Sequence, residues 1–269
     1  MGEPKVVLVT GATSGIGRAT AELLAARGYR VFGTGRNPAA AVGGGFELLP
    51  LDVTSDESVA ACVRAVAERT GGRIDVLHNN AGTGIIGAAE EITPEEALRL
   101  FQTNFFGVMR MTNAVLPLMR ARRAGTVINM SSSGGVAALP FAALYCATKF
   151  ALEGYTEALR HELRPFGVAA VLVAPGPVST PAGEKAMRAA RHIPEYAERR
   201  ARADALAVAG IRGGMDPERV AATVLRVVRA RWPSPRYAVG LQARATNLAR
   251  GLLPPGAFEA AVRWGVGLG

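Results

Sequence analysis

Short runs in which every position is apolar alternate along this chain with longer stretches in which apolar residues recur every three or four. Val6-Val7-Leu8-Val9 is the first such run; having no polar face, it reads as a strand buried on both sides, as in a parallel sheet. Residues 15–27 then set Ile16, Ala19, Leu23 and Ala26 on one helical face. The alternation continues with strands expected over Arg30–Thr34, Phe46–Leu51, Ile74–His78, Thr126–Met130 and Val168–Ala174. Helices are expected over 55–69, 94–101, 107–122, 144–164 and 217–231, and a last short strand over 236–240. Ser55, three residues before Ser58, reads as an N-cap, and Asp216-Pro217-Glu218 as a cap with Pro at the first helical position. Val42-Gly43-Gly44-Gly45 reads as a loop. This order predicts an α/β fold: one domain, a doubly wound parallel sheet with helices on both faces and ligands at the carboxyl ends of the strands. Residues 183–215 break the alternation and are expected to be a mobile, lid-like insertion, with 216–269 as a carboxy-terminal extension.

Composition narrows the classes. A chain of 269 residues with 49% hydrophobic and 20% charged residues buries a sizeable core, which excludes general disorder. Two cysteines, Cys62 and Cys146, cannot build a disulfide scaffold. The start of the chain has neither a secretory apolar stretch nor a myristoylation pattern, and no run approaches the roughly 20 apolar residues that span a bilayer. A cytoplasmic protein is expected. The net charge of +9 is uneven: from Gly183 onward fifteen basic residues face seven acidic ones. Of the 31 basic residues 28 are arginine, with few aromatics among them, which argues against single-stranded nucleic acid as a partner. The three histidines stand singly, so no metal site is expected.

The candidate chemistry sits where apolar runs end. The first strand runs into Thr10-Gly11-Ala12-Thr13-Ser14-Gly15-Ile16-Gly17 and then a helix. Glycine at 11, 15 and 17 permits close backbone approach, and the helix start offers free N–H groups to a phosphate. This arrangement predicts dinucleotide binding. NAD-binding folds place an acid near the end of the second strand, but here Gly35-Arg36-Asn37 carries none. Arg36 would instead pair with a 2′-phosphate, so NADP(H) is favoured over NAD(H). Further along, Asn79-Asn80-Ala81-Gly82 ends one strand and Ser131-Ser132-Ser133 another. Tyr145 and Lys149 are i and i+4 on the long helix, hence on one face. A tyrosine titrates near pH 10 when unperturbed; a neighbouring ammonium lowers that, and Lys149 with a cationic nicotinamide together would bring it down towards neutrality. Cys146 is read as a packing residue.

Taken together these segments closely resemble the short-chain dehydrogenase/reductase family, over about residues 5–182 and in consecutive order. Thr10–Gly17 resembles its cofactor motif, Asn79–Gly82 its Asn-Asn-Ala-Gly, and Thr103-Asn104 its asparagine site. Ser132 stands at the family's spacing before Tyr145, and Pro175-Gly176 resembles its turn after the sixth strand. Leu139-Pro140-Phe141 and Tyr145–Gly154 look like the 17β-hydroxysteroid and retinol dehydrogenase branch. The resemblance implies a Rossmann fold and an oxidoreductase acting on a carbonyl or alcohol, with a steroid- or retinoid-like lipophilic substrate. It implies Tyr145 as general acid/base, Ser132 as the group orienting the substrate oxygen, Lys149 as partner of the tyrosine and of the nicotinamide ribose, and Asn104 as anchor of a water leading from Lys149. Ser131 and Ser133 compete for the serine role; the spacing favours Ser132. Cofactor contacts are implied for Gly11, Thr13, Ser14, Gly15, Ile16 and Gly17, for Arg36, for Asp52 and Val53 beside adenine, and for Asn80, Ala81 and Gly82. Tyr145, Lys149, Pro175, Gly176, Val178 and Thr180 complete that set. Helices 107–122 and 146–164 are the family's dimer seam, so a homodimer or homotetramer is expected.

Two other readings stay open on sequence alone. One is an NADP(H)-binding redox sensor without turnover, although Asn104, Ser132, Tyr145 and Lys149 are all present. The other is a basic scaffold or membrane-surface protein acting through its apolar tail, Ala257–Leu268.

Overall fold

The computed structural model describes residues 3–37, 44–181 and 186–265. The first apolar run forms β1 (Val6–Val9), followed by α1 (Gly15–Ala26), β2 (Arg30–Gly35), β3 (Glu47–Pro50), α2 (Asp56–Thr70) and β4 (Val76–Asn79). After a two-residue strand, β5 (Ile85–Ile86), come α3 (Pro94–Phe101), α4 (Gly107–Ala121), β6 (Gly125–Met130), α5 (Ala143–Leu163) and β7 (Val168–Pro175). The remainder holds β8 (Met187–Arg188), α6 (Ala197–Arg212), α7 (Pro217–Arg229), β9 (Arg236–Val239), α8 (Leu241–Leu252) and α9 (Pro255–Gly265). Seven strands form one parallel sheet in the order β3-β2-β1-β4-β6-β7-β9. The order reverses between β1 and β4, which opens a crevice at their carboxyl ends.

Strand periodicity explains why both faces had to be apolar. Val6 and Leu8 point into a core with Val63, Met111 and Leu159 of α2, α4 and α5. Val7 and Val9 point into a second core with Leu24 of α1 and Val220 and Val224 of α7. Every residue of β1 and β7 is buried. Ser55 caps α2, its side chain accepting from the Ser58 N–H, whereas Asp216 precedes Pro217 without a side-chain cap bond.

Three features depart from the sequence reading. Helices α3 and α4 are joined by a π-helical turn, Gln102–Phe106, in which the Gly107 N–H reaches back to the Gln102 carbonyl. The part of 183–215 that is described is not a loose insertion. Met187 pairs with Ile85 in a small parallel sheet, and α6 fills 197–212. No residue of α6 is buried, so it lacks the apolar stripe by which helices are recognised in sequence. What holds this segment is carboxylates: buried Glu91 accepts from the Ile193 N–H at 2.8 Å and from Arg200, and buried Glu96 accepts from the Ala190 N–H at 3.0 Å. The carboxy-terminal extension likewise contains, after the expected α7 and β9, two further helices, α8 and α9. The expected loop at 42–45 and the tail at 257–268 lie partly outside the described residues.

Candidate active site

The crevice is stitched by polar groups at the ends of β1 and β4. Thr10 Oγ1 accepts from the N–H groups of Asn80 (2.9 Å) and Ala81 (3.0 Å). The Asn80 amide donates to the carbonyls of Thr10 (2.9 Å) and Gly11 (3.1 Å). Asn79 turns the other way, donating to Asn129 Oδ1 and Thr112 Oγ1 in a buried ladder that fixes β4 against β6 and α4. The first Asn of Asn79-Asn80-Ala81-Gly82 is therefore structural, and the second ties the two turns together.

The glycines show how close that packing is. Gly11 has φ +68°, and a Cβ there would lie 3.0 Å from the Ala81 Cα. A Cβ on Gly17 would lie 2.2 Å from the Gly11 carbonyl oxygen. At Gly15, φ +54°, it would meet Thr180 Cγ2 at 3.1 Å, which brings the turn after β1 against the segment after β7. Thr13, Gly15, Ile16 and Thr180 are half-buried and Ser14 is exposed, so this side is open to a ligand. At the adenine end Gly35 packs on Thr13 Cγ2, Arg36 is exposed, and the Asp52 carboxylate accepts from the Thr54 N–H and hydroxyl. Those two bonds hold Asp52 below the usual carboxylate range, and Arg36 adds to the effect. Val53 is buried against Gly107. At the other end the Gly176 N–H donates to the Val239 carbonyl, and Val178 bridges to Met215. A cradle of glycines with no acid at the end of β2 fits a dinucleotide.

The catalytic candidates converge between β6, β4 and α5. Ser132 opens a 3-10 turn, its Oγ accepting from the Gly134 N–H at 3.1 Å and acting to lower the pKa of the Tyr145 hydroxyl. Gly134 permits this, because a Cβ there would lie 3.3 Å from Tyr145 Cε1. Lys149 Nζ sits 5.7 Å from the centre of the Tyr145 ring and donates to the Met130 carbonyl at 2.9 Å. Asn104, placed by the π turn, donates to the Thr83 carbonyl and Thr148 Oγ1 and accepts from the Thr83 N–H. A Cβ on Gly82 would lie 3.4 Å from Asn104 Oδ1 and 4.0 Å from Lys149 Nζ, so Gly82 is the gap between them. The Asn104 amide is committed to the 83 loop. Of the competing serines, Ser131 is buried and bonded to Glu153, which leaves Ser132 facing the tyrosine.

Burial pushes the Tyr145 phenol above its ordinary range, and the neighbouring Ser132 hydroxyl only partly opposes this. Lys149 is itself brought down to about 8 by burial, against the pull of Glu153. The protein's own groups thus keep Tyr145 a neutral phenol at neutral pH, the form that donates a proton. Cys146 is buried, accepts from the Leu139 N–H at 3.4 Å and is pushed up by burial, as a packing residue should be. Among the described residues no cluster of three metal-ligating side chains occurs.

Sequence reasoning missed the carboxylate behind this site. Glu153 accepts from the Ser131 hydroxyl and pairs with Arg236 of β9 at 2.9 Å. Its signal was available, since it lies one turn beyond Lys149 on α5. The apolar wall was also partly hidden: Tyr145, Leu144 and Met187 pack on a small cluster of Ile85, Ile92, Leu100 and Ala189.

The short chain dehydrogenase family model matches residues 5–191. The chain belongs to the short-chain dehydrogenase family. It is 40% identical over 245 residues to a 3-ketodihydrosphingosine reductase of Bacteroides thetaiotaomicron, 88% of each chain. It is 40% identical over 190 residues to retinol dehydrogenase 8 of Bos taurus, spanning 66% of this chain and 60% of that one. Human 17-beta-hydroxysteroid dehydrogenase type 1 is 40% identical over 197 residues, 68% of this chain and 59% of the relative. Among solved structures, a short-chain dehydrogenase from Streptomyces avermitilis superposes with TM-score 0.84 at 37% identity, covering 98% of this chain and 99% of its own. A metagenomic short-chain oxidoreductase in complex with NADP gives 0.70 at 29%, covering 87% and 96%. A Brucella melitensis 3-ketoacyl-(acyl-carrier-protein) reductase complexed with NADH gives 0.74 at 27%, covering 89% and 97%. This short-chain dehydrogenase is thus an oxidoreductase that works with a nicotinamide cofactor on CH–OH or carbonyl groups, in the branch expected from its motifs. Among the described residues no helix is long and apolar enough to cross a membrane.

Proposed function

We propose that this protein reduces the carbonyl of a lipophilic, long-chain or polycyclic substrate with NADPH, Tyr145 acting as general acid. The observation that carries the reading is the Tyr145 side chain set beside the Ser132 turn, with the buried Lys149 ammonium 5.7 Å from the centre of the same ring. When bound, NADPH supplies the hydride. Ser132 and Tyr145 hold the substrate oxygen between two hydroxyls. Tyr145 gives its proton to that oxygen, and Lys149 stabilises the phenolate left behind. For the cofactor, Arg36 stands where an acid would repel a 2′-phosphate, and the NADP-bound neighbour agrees, although another neighbour holds NADH. For the substrate, the cluster of Ile85, Leu144 and Met187 beside Tyr145 gives an apolar wall, and the named relatives act on a keto-sphingoid, a retinoid and a steroid. Phe150, exposed on α5, supports a homo-oligomer across α4 and α5.

The test is a fluorescence titration with NADPH and NADH, followed by turnover on 3-keto-sphingoid, retinal and 17-keto-steroid substrates. NADPH should bind at least tenfold tighter than NADH, and Arg36→Glu should reverse the order. Tyr145→Phe should bind cofactor normally and lose turnover by roughly a thousandfold. Tight binding with no turnover on any carbonyl would overturn the reductase reading in favour of a cofactor-binding sensor.

A further inference from the structure

Helices α8 and α9 lie outside the sheet and leave an apolar face uncovered. At 100° per residue, Leu241, Ala245, Leu248 and Leu252 of α8 fall within one narrow stripe. The three leucines are 84%, 64% and 72% exposed. The opposite side of α8 is packed: Ala243 is buried, and the Arg250 guanidinium covers the ring of buried Phe258 on α9 at 5.0 Å. With Phe258 turned inward, Trp264 of α9 faces solvent at 83% exposure. Five of the ten large hydrophobic side chains exposed among the described residues lie between 241 and 264. A stripe this regular is not the random scatter of single apolar residues found on any surface.

Two observations say what covers it. The first is charge. From Arg219 to the end the chain carries eight arginines and a single acid, Glu259. Exposed Arg244 flanks the leucine stripe directly. A second copy laid symmetrically on this face would set like charges together. An anionic lipid surface would complement them, and leucine, tryptophan and arginine are the composition of a helix lying in a bilayer interface. The second is position. Residues of α8 pack against the turn that follows Ser132, and a Cβ on Gly176 would lie 3.6 Å from the Ala243 nitrogen. Helix α8 therefore has its packed side against the turn that follows Ser132 and its stripe turned outward, which would hold the proposed site next to a membrane that a lipophilic substrate leaves.

We infer that the stripe of α8, with Trp264 of α9, is a docking surface for an anionic lipid bilayer. The full chain is sedimented with vesicles of phosphatidylcholine alone or mixed with phosphatidylglycerol, at low and raised salt. The protein should pellet with the mixed vesicles at least tenfold more than with neutral ones, less so at raised salt. Leu248→Glu combined with Leu252→Glu should abolish pelleting while thermal melting stays unchanged, because both side chains are exposed. Trp264 fluorescence should shift to the blue on adding mixed vesicles, and Trp264→Phe should remove that shift. Absence of pelleting with either vesicle, pelleting indifferent to the double variant, or a double variant that instead halves the particle mass in solution would each overturn the inference. None of these readouts depends on turnover, so this inference and the reductase reading fail separately.

Discussion

Two buried charges in this protein are treated in opposite ways. Glu91, 0% exposed, accepts from the N–H groups of Ala88 and Ile193 and from the Arg200 guanidinium. Burial would raise its pKa, but those partners outweigh burial and hold it below the usual range. Lys149, 6% exposed, donates to the Met130 carbonyl, and burial wins, bringing it down to about 8. A charge with its partners supplied is a structural rivet. A charge left short of partners keeps interaction energy in reserve for whatever enters the site. Glu91 ties α6 to the turn before α3, and Lys149 waits beneath the tyrosine.

Exchanging the charges for neutral side chains should separate the two roles. Lys149→Met should reduce turnover by about a thousandfold, comparable to loss of a general acid. Its melting temperature should hold or rise, because an under-satisfied ammonium is an expense to the fold. Turnover assays and a thermal melt on the same preparation check both halves. Glu91→Ala should do the reverse. It strands Arg200 and two N–H groups in a buried place, so denaturant unfolding should show a loss of about 3 kcal/mol. The chemical step should stay near wild type, while KM rises several-fold as α6 loosens. Equal losses of stability in the two variants would dissolve the distinction.

A third buried ionisable group extends the series. His78, on β4, has no hydrogen-bond partner for either ring nitrogen among the described residues, and burial pushes it down to about 3. Above about pH 6.5 it is neutral both folded and unfolded and contributes no pH dependence. Below that the unfolded chain takes up a proton that the folded chain refuses. Stability should therefore fall by about 1.4 kcal/mol per pH unit from this residue alone, down to about pH 3. His78→Leu removes that slope. Compared at pH 5 and pH 7.5 by urea unfolding, it should regain about 2 kcal/mol relative to wild type at the lower pH. An identical pH difference in both proteins would mean the histidine finds a partner.

How much of this was legible depended on whether a residue's role shows in its neighbours along the chain. The strands could be read because both faces are apolar, and the glycine turn because it follows one of them. Tyr145 and Lys149 share a helix face, so their pairing was visible. The grouping of Gly15 with Thr180, or Glu91 with Arg200, joins residues more than a hundred apart and has no local signal. Helix α6 escaped for a different reason: its stability comes from those distant carboxylates rather than from an apolar stripe. The π turn was hidden because one extra residue in a helical turn alters no periodicity over so short a span. Asn104 was found through family resemblance, but what its amide holds was not.

The smallest expected effect tests whether the reserve at Lys149 is tuned. Glu153 lies one turn further along α5, pairs with Arg236 at 2.9 Å and accepts from Ser131, the residue before Ser132. Its negative charge opposes the fall in the Lys149 pKa that burial causes. Glu153→Gln keeps the shape and the bond to Ser131 but removes the charge. The ammonium should then give up its proton more easily, so the alkaline limb of the turnover–pH profile should move towards lower pH. A loss of roughly 1 kcal/mol of support corresponds to about a fivefold drop in turnover on the alkaline side, with little change below neutrality. A merely structural carboxylate would lower turnover equally at every pH. A uniform drop in Glu153→Gln would therefore place Glu153 with Glu91 as a rivet, and a displaced limb would place it with Lys149, on the side of the molecule where charge is held back for chemistry.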